Sequence, residues 1–188
     1  MVREALQKAL GESREFECTQ IKLQNSDWVE LYQTSITPLA IDKFYIHPTR
    51  HEENPDLINI AIDPALALGT GHHPTTASSL RAISKYVKGG DSLIDVGCGS
   101  GILGIAAIKL KAIVEACDTD PVSVENSIGN AKLNNIEFSK IWEGSCSLSS
   151  SKYDVVVANI VADVLTFIAK DLKSALKDDG ILILSGIL

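Results

Sequence analysis

The feature that most constrains the fold is a regular alternation of apolar strands and helices that begins at residue 91. The strands are almost continuously apolar, which is typical of a parallel sheet covered by helices on both faces. Right-handed crossovers then predict an α/β fold with a doubly wound, mostly parallel, Rossmann-like sheet. The predicted strands cover residues 92–97, 113–118, 137–144, 153–159 and 181–188, and the predicted helices cover residues 102–111, 121–135 and 161–177, the last ended by Gly180.

The first 90 residues follow a less regular pattern, and residues 28–48 mix apolar and polar side chains without a clear period. Residues 49–56 and 64–74 are predicted to be loops. Further elements are predicted as helices over residues 1–12 and 75–87, the second capped by Thr75, and as strands over residues 16–23 and 58–63.

Composition places the chain among ordinary globular domains and excludes several classes of protein. Its 188 residues are 45% hydrophobic and 22% charged, which suits one domain with a real core. We find no run of about 18 apolar residues, as a membrane span requires, and no secretion signal, so we expect a cytoplasmic protein with reduced cysteines. A net charge of -7 disfavours direct nucleic-acid binding and suits a basic protein partner.

Ligands of doubly wound sheets bind where the strands end, and the first predicted strand ends in a glycine-rich turn. Gly97, Gly99 and Gly101 form a G-x-G-x-G pattern preceded by Asp95, but Gly99, Gly101 and Gly104 also fit the G-x-G-x-x-G fingerprint of dinucleotide binding. The Asp95 carboxylate would repel a pyrophosphate, whereas it suits the ammonium and sulfonium groups of S-adenosylmethionine. We therefore interpret the turn as a binding site for S-adenosylmethionine.

Two later strand ends carry further polar candidates. Asp118 follows the second strand and suits the ribose hydroxyls of either cofactor, while Asp120 fits a capping role for the helix that Pro121 opens. Asn159 ends the fourth strand and is followed by Ile-Val-Ala, without an aromatic side chain to stack on a planar acceptor. We interpret Asn159 as a catalytic and cofactor-binding residue that orients an aliphatic amine; a solvated turn asparagine is the alternative.

A second glycine-containing loop precedes the helix predicted at residue 75. Gly69 and Gly71 lead into two histidines, a proline and Thr76, and we expect this loop to fold over the cofactor and to bond it through a threonine hydroxyl. Adjacent histidines rarely converge on one ion, and no third ligand has convincing spacing, so we predict no metal site.

Four segments of the chain resemble the ribosomal protein L11 methyltransferase (PrmA) family: DPALALGTGHHPTTASSL, LIDVGCGSGILGIAA, CDTDP and VVVANIVADVL. The GTGxHPTT loop is the most specific of these features, and the likeness extends from about residue 27 to residue 188. The resemblance implies a class I methyltransferase fold and methylation of lysine side-chain or N-terminal amino groups of a large-subunit ribosomal protein. It also implies cofactor contacts at Thr76, Gly97, Asp118 and Asn159.

The chain departs from the family pattern in several places. Leu68 stands where the family usually has Phe, and Arg50 stands where it usually has Trp. The family's N-terminal substrate-binding domain and its last helix and strands are missing, so we expect a truncated member that ends after the fifth strand. Residues 1–27 would be a remnant of the substrate-binding region and residues 28–188 the catalytic domain, with residues 181–188 as an apolar sheet edge.

Two other functions remain open at this point. An NAD-dependent oxidoreductase would use Gly99, Gly101 and Gly104, although Asp95 and the lack of a recognisable hydride-transfer site count against it. The second alternative function is that of a truncated, non-catalytic module that binds the cofactor without turnover. For methyl transfer itself, only a neutral amine can attack, and no residue stands out as a dedicated base.

Overall fold

The computed structural model describes residue 9, residues 37–63 and residues 73–186. Within these residues the chain first forms a small three-stranded sheet. Its strands are β1 (Leu39–Ile41), β2 (Phe44–His47) and β3 (Ile58–Ala61). Strand β2 pairs antiparallel with β1 and parallel with β3. The strand predicted over residues 58–63 is therefore confirmed, but it belongs to a sheet separate from the main one.

The main sheet has five strands, and every pair in it is parallel. The strands are β4 (Ser92–Val96), β5 (Ile113–Asp118), β6 (Lys140–Glu143), β7 (Tyr153–Asn159) and β8 (Leu176–Ser185), and the helices are α1 (Pro74–Tyr86), α2 (Ile102–Lys109), α3 (Pro121–Leu133) and α4 (Ala162–Ala175). The order β6-β5-β4-β7-β8 confirms the doubly wound fold. The order reverses between β4 and β7, which is where such sheets bind ligands.

Successive residues of the central strands face two different apolar clusters, as the pleat of a strand requires. Leu93, Val155 and Val157 pack in the cluster that contains α1, α2 and the small sheet. Ile94 and Val156 face the opposite cluster, which contains α4 and two cysteines, Cys117 and Cys146. Burial on both faces explains why these strands are apolar without alternation.

The strand register brings the ends of four strands to one edge. Val96 pairs with Cys117 on β5 and with Ala158 on β7. Asn159 in turn pairs with Ser185 at the end of β8. The glycine turn, Asp118, Asn159 and Ser185 therefore all lie at the carboxyl edge of the sheet.

Several predicted boundaries are wrong. The strand predicted over residues 137–144 begins only at Lys140, and the one predicted over residues 181–188 begins already at Leu176. Helix α1 begins at Pro74 and is capped by His73, whose Nδ1 accepts a hydrogen bond from the Thr75 backbone N–H, so Thr75 lies inside the helix. Helix α4 ends at Ala175, and Gly180 lies within β8 instead of ending the helix. Leu176 pairs with Tyr153 and pairing resumes at Ile181 with Val155, so residues 177–180 lie at a register shift within β8.

Of residues 1–36 the structure describes only residue 9. The helix predicted over residues 1–12, the strand predicted over residues 16–23 and the domain boundary at residue 27 therefore stay predictions. Between residues 37 and 63 and between residues 73 and 186, no helix is long and apolar enough to cross a membrane.

Candidate functional site

The turn after β4 has a backbone conformation that glycine adopts more readily than other residues. Gly97, Gly99 and Gly101 have φ angles of 72°, 55° and 78°. The N–H groups of Gly97 and Cys98 donate to the Cys117 carbonyl at 2.8 and 3.1 Å, which fastens the turn to β5. The glycine spacing in the sequence therefore corresponds to a tight turn at the end of the central strand.

The glycines also permit close packing around the turn. A Cβ atom on Gly97 would collide with the side chain of Ile160, and one on Gly101 would lie 2.9 Å from Ser127 Oγ. A Cβ on Gly104 would lie 2.6 Å from Phe138 Cε1. Gly104 is thus required for the packing of α2, which accounts for the G-x-G-x-x-G spacing without a dinucleotide.

Asp95 is buried beneath the turn, and its carboxylate faces the start of α2. Asp95 Oδ2 accepts a hydrogen bond of 2.9 Å from the Gly104 N–H, one of the donors that a helix leaves free in its first turn. Burial raises the pKa of Asp95 to about 7; the charge of Asp118 adds to the rise, and the Gly104 hydrogen bond opposes it. A protein carboxylate therefore already occupies part of the position where a helix N-terminus would bind a phosphate.

Asp118 is half-buried at the end of β5 and connects the glycine turn to the next helix. Its Oδ2 accepts from the Gly99 N–H at 2.9 Å, and its Oδ1 accepts from the Asp120 N–H at 3.0 Å. Each carboxylate oxygen retains a second lone pair that a ligand hydroxyl can use.

Asp120 caps α3, as the sequence predicts, because its Oδ1 accepts from the Val122 N–H at 3.0 Å. Its Oδ2 also accepts from Ser123 Oγ at 3.1 Å. The two aspartates after β5 are thus separated by role: both oxygens of Asp120 face its own helix, whereas Asp118 faces the turn.

Asn159 and Thr76 lie together at the opposite side of the switch point. Asn159 Nδ2 donates to Thr76 Oγ1 at 3.1 Å, and Thr76 is buried. Ser185 Oγ donates to the Thr75 carbonyl at 3.2 Å, one residue away. These bonds hold the start of α1 against the ends of β7 and β8, and the Thr76 hydroxyl is a group that can also donate.

The strand ends that form this edge carry acidic but no basic residues. Residues 97–101, 118–120, 144–146 and 159–160 contain neither Lys nor Arg. In residues 37–63 and 73–186, no group of three or more His, Cys, Asp or Glu side chains is placed to hold a metal ion. The edge is therefore suited to a ligand that carries hydroxyl groups and positive charge.

The structure brings most of the predicted site residues to this edge: Thr76, Asp95, Gly97, Gly99, Gly101, Asp118 and Asn159. Gly69, Gly71 and His72 lie outside the residues that the structure describes. His73 is the cap of α1.

The sequence interpretation missed three residues that support the edge. Ser127 Oγ donates to the Gly99 carbonyl at 3.0 Å, and Asn130 Nδ2 donates to the Ser100 carbonyl at 2.9 Å. Both lie on the buried face of α3, so polar residues at helical spacing on an inward face were the available signal. Ser185 gave a weaker signal, as a polar residue that ends an apolar run.

Comparison with known proteins gives one consistent family. The family model described as Ribosomal protein L11 methyltransferase (PrmA) matches residues 1–188. A protein named Ribosomal protein L11 methyltransferase from a Nitratiruptor species is 55% identical over 170 residues, which is 90% of this chain and 61% of that protein. A protein of the same name from Campylobacter concisus is 51% identical over 165 residues, covering 88% of this chain and 60% of that protein.

Among solved structures, the crystal structure of a ribosomal protein L11 methylase from Lactobacillus delbrueckii subsp. bulgaricus matches with a TM-score of 0.75 and 35% identity, covering 81% of each chain. The chain thus spans about 60% of the length of the curated relatives it matches.

Proposed function

Because the chain belongs to the ribosomal protein L11 methyltransferase (PrmA) family, we propose that it binds S-adenosylmethionine and transfers methyl groups to amino groups of ribosomal protein L11. The observation that carries this proposal is the position of Asp118, a carboxylate hydrogen-bonded to the N–H of Gly99 in the glycine turn. A ribosomal-protein acceptor would place the reaction in the cytoplasm, and the basic character of such proteins suits the net charge of -7.

The chemistry of the edge supports this cofactor over a dinucleotide. The free lone pairs of Asp118 suit the two hydroxyls of a ribose, which both cofactors have. The absence of Lys and Arg from the described strand ends, and the bond from Gly104 N–H to Asp95, leave little to bind a diphosphate. A sulfonium and an ammonium need no such partners.

S-adenosylmethionine supplies an already activated methyl group, so the protein need not provide a strong acid. The side chains at the edge would bind the cofactor and position the amine. We assign ribose binding to Asp118, backbone contact with the cofactor to Gly97, Gly99 and Gly101, and a hydroxyl contact to Thr76. The Asp95 carboxylate would contribute negative charge from beneath the turn, with Gly69 and Gly71 completing the cofactor loop.

Asn159 is assigned the positioning of the acceptor amine. Its Nδ2 donates to Thr76 Oγ1, and within residues 37–63 and 73–186 no hydrogen bond to its side-chain oxygen is seen, so this oxygen could accept from an amine N–H. A lysine amine has an ordinary pKa of about 10.4, so a desolvated site that favours its neutral form is required before it can attack. Alignment of the nitrogen with the methyl–sulfur bond is then the main contribution of the protein. No general base is assigned.

Two measurements test the proposal. Thermal unfolding with S-adenosylhomocysteine, and separately with NAD, should raise the melting temperature only with the first ligand. Mass spectrometry of ribosomal protein L11 after incubation with the chain and S-adenosylmethionine should then detect added methyl groups. Stabilisation by NAD alone would favour the oxidoreductase alternative, and cofactor binding without methylation would favour the non-catalytic module.

A further inference from the structure

Asn130, a buried residue of α3, connects two segments that are distant in sequence. Its Nδ2 donates to the Ser100 carbonyl at 2.9 Å, and its Oδ1 accepts from the Asp63 N–H at 3.2 Å. We propose that Asn130 is a positioning residue of the cofactor site, which holds the glycine turn in its binding conformation through the Ser100 carbonyl. The inference rests on the proposed function, because it concerns the site assigned to S-adenosylmethionine.

The bond to Ser100 fixes a peptide unit inside the turn. The Ser100 carbonyl and the Gly101 N–H belong to the same planar unit, and Gly101 N–H donates to the Cys98 carbonyl at 2.7 Å. One end of this unit is therefore held by the turn itself and the other end by Asn130. Without Asn130, the Ser100 carbonyl would be left in a buried position without this donor, and the turn would lose a restraint on its orientation.

The second bond reaches the end of the small sheet. Asp63 follows β3, and its carboxylate accepts from the Thr49 N–H at 3.0 Å and from Thr49 Oγ1 at 2.8 Å. Asn130 therefore links the glycine turn to the segment after β3, where the Asp63 side chain is bonded to Thr49. In sequence, Asp63 leads to the helix whose Thr76 bonds to Asn159.

The Asn130 amide makes both bonds because it carries a donor nitrogen and an acceptor oxygen on the same carbon atom. A carboxylate in its place would have no hydrogen for the Ser100 carbonyl, and an apolar side chain would satisfy neither group. The identity of the side chain, and not burial alone, thus matters at this position.

The chain provides a closely matched control in Asn134, one turn further along. Asn134 is also buried, and its amide bonds to a backbone residue of the small sheet, to the Ala61 N–H at 2.9 Å and to the Ala61 carbonyl at 2.7 Å. Its Nδ2 also donates to the Asn130 carbonyl at 2.8 Å, but it makes no described bond to the glycine turn. Asn134→Ala therefore removes a neighbouring set of buried bonds, whereas the bond from the Asn130 side chain to the Ser100 carbonyl remains.

The test compares Asn130→Ala and Asn134→Ala in the full 188-residue chain. Calorimetry with S-adenosylhomocysteine should give a Kd about five- to tenfold weaker for Asn130→Ala, and a Kd within about twofold of the parent for Asn134→Ala. Hydrogen exchange followed by mass spectrometry should become faster across residues 97–101 only in Asn130→Ala. Both substitutions should lower the melting temperature. The comparison of Kd values is therefore made between two variants that have both lost stability.

Equal Kd values in the two variants, with unchanged exchange across residues 97–101, would show that Asn130 only stabilises the fold and would overturn the inference. If the parent chain does not bind S-adenosylhomocysteine, the proposed function fails, and exchange across the turn alone then decides whether Asn130 positions it. If Asn130→Ala does not fold, Asn130→Ser replaces it with the same expectations, because a hydroxyl is smaller but still polar.

Discussion

Asp118 and Asp120 are two positions apart, yet their surroundings give them different roles. Asp120 satisfies the free N–H groups of α3, whereas Asp118 accepts from the glycine turn and keeps lone pairs for a ligand. The sequence predicted this division, because an acid directly before a helix-opening proline is a common cap. The pair therefore separates the proposed ligand contact of Asp118 from the helix capping of Asp120 in a single short segment.

Replacing Asp118 by alanine should weaken binding of S-adenosylhomocysteine by roughly 1–3 kcal/mol, the cost of removing a hydrogen bond to a charged acceptor. Titration calorimetry measures this directly. Asp120→Ala is the control: it should lower the free energy of unfolding by about 1 kcal/mol through loss of the cap, with a nearly unchanged Kd. An unaltered Kd in Asp118→Ala would refute the ribose assignment.

Replacing Asn159 by alanine should reduce the rate of methyl transfer by roughly ten- to a hundredfold and affect cofactor affinity much less, because its assigned role is to align the amine. Initial rates with ribosomal protein L11 and a separate measurement of Kd distinguish the two effects. Ser185→Ala, which removes the neighbouring bond to the Thr75 carbonyl, controls for loosening of α1. A parental rate in Asn159→Ala contradicts the assignment.

At the scale of elements, the sequence predicted best those strands whose bounds are set by burial of apolar side chains. Strand β7 has the predicted bounds because residues 153–159 are apolar and buried on both faces. The small sheet was largely missed, since β1 and β2 have three and four residues, too few to show a period. The end of α4 was misplaced because Leu176 already pairs with Tyr153 of β7, and residues 177–180 lie at a register shift before pairing resumes at Ile181.

The same distinction holds for the site. Glycine spacing and acids at strand ends are local patterns, and they predicted a tight turn with Asp118 at the end of the neighbouring strand; its role as a cofactor contact stays a prediction. Asn130 and Ser127 were missed because each side chain donates to a backbone carbonyl that is distant in sequence. The polar residues at helical spacing on the inward face of α3 indicate buried hydrogen bonds, but which carbonyl each one reaches depends on how α3 packs.

Asp95, which lies on β4 and bonds to α2, should make the free energy of unfolding depend on pH. The pKa of Asp95 is raised from 3.8 to about 7 in the fold, so the folded state holds its proton more tightly than the unfolded state does. The free energy of unfolding should therefore decrease as the pH rises from about 4 to about 7, and level off above that range.

Asp95→Asn should remove this decrease, because an amide stays neutral and its oxygen can still accept from the Gly104 N–H. Denaturant unfolding at about pH 5 and about pH 8 should show that the variant gains stability relative to the parent at the higher pH. Asp120→Asn, which keeps a capping oxygen and leaves Asp95 in place, should show the same decrease with pH as the parent. The same pH profile in the parent and in Asp95→Asn would contradict the assignment of the titration to Asp95.

At the scale of the whole molecule, the two edges of the main sheet are unequal. Among the described strands, β8 pairs only with β7, and its Leu182 and Leu184 are each 40% exposed. An apolar edge strand favours pairing with another chain. We therefore expect the 188-residue chain to self-associate as its concentration rises.

Sedimentation velocity over a range of concentrations measures this association. Leu184→Lys should shift the distribution towards monomer, because a charged residue on an edge strand opposes pairing. Ile113→Lys is the control, since it removes an exposed apolar side chain from a strand that has neighbours on both sides. An equal shift in both variants would indicate nonspecific association through exposed apolar side chains and not pairing at the sheet edge.

Three buried cysteines, Cys98, Cys117 and Cys146, allow opening of the core to be measured by thiol alkylation. Burial raises the pKa of Cys98, of Cys146 and of Cys117, the last to about 12, so the reactive thiolate is scarce in the folded state. In a Cys18→Ser background, iodoacetamide should label these three thiols only as fast as the core opens. Alkylation rates then give the opening equilibrium of the sheet without any attached dye, and a bound ligand should slow them in proportion to its stabilisation.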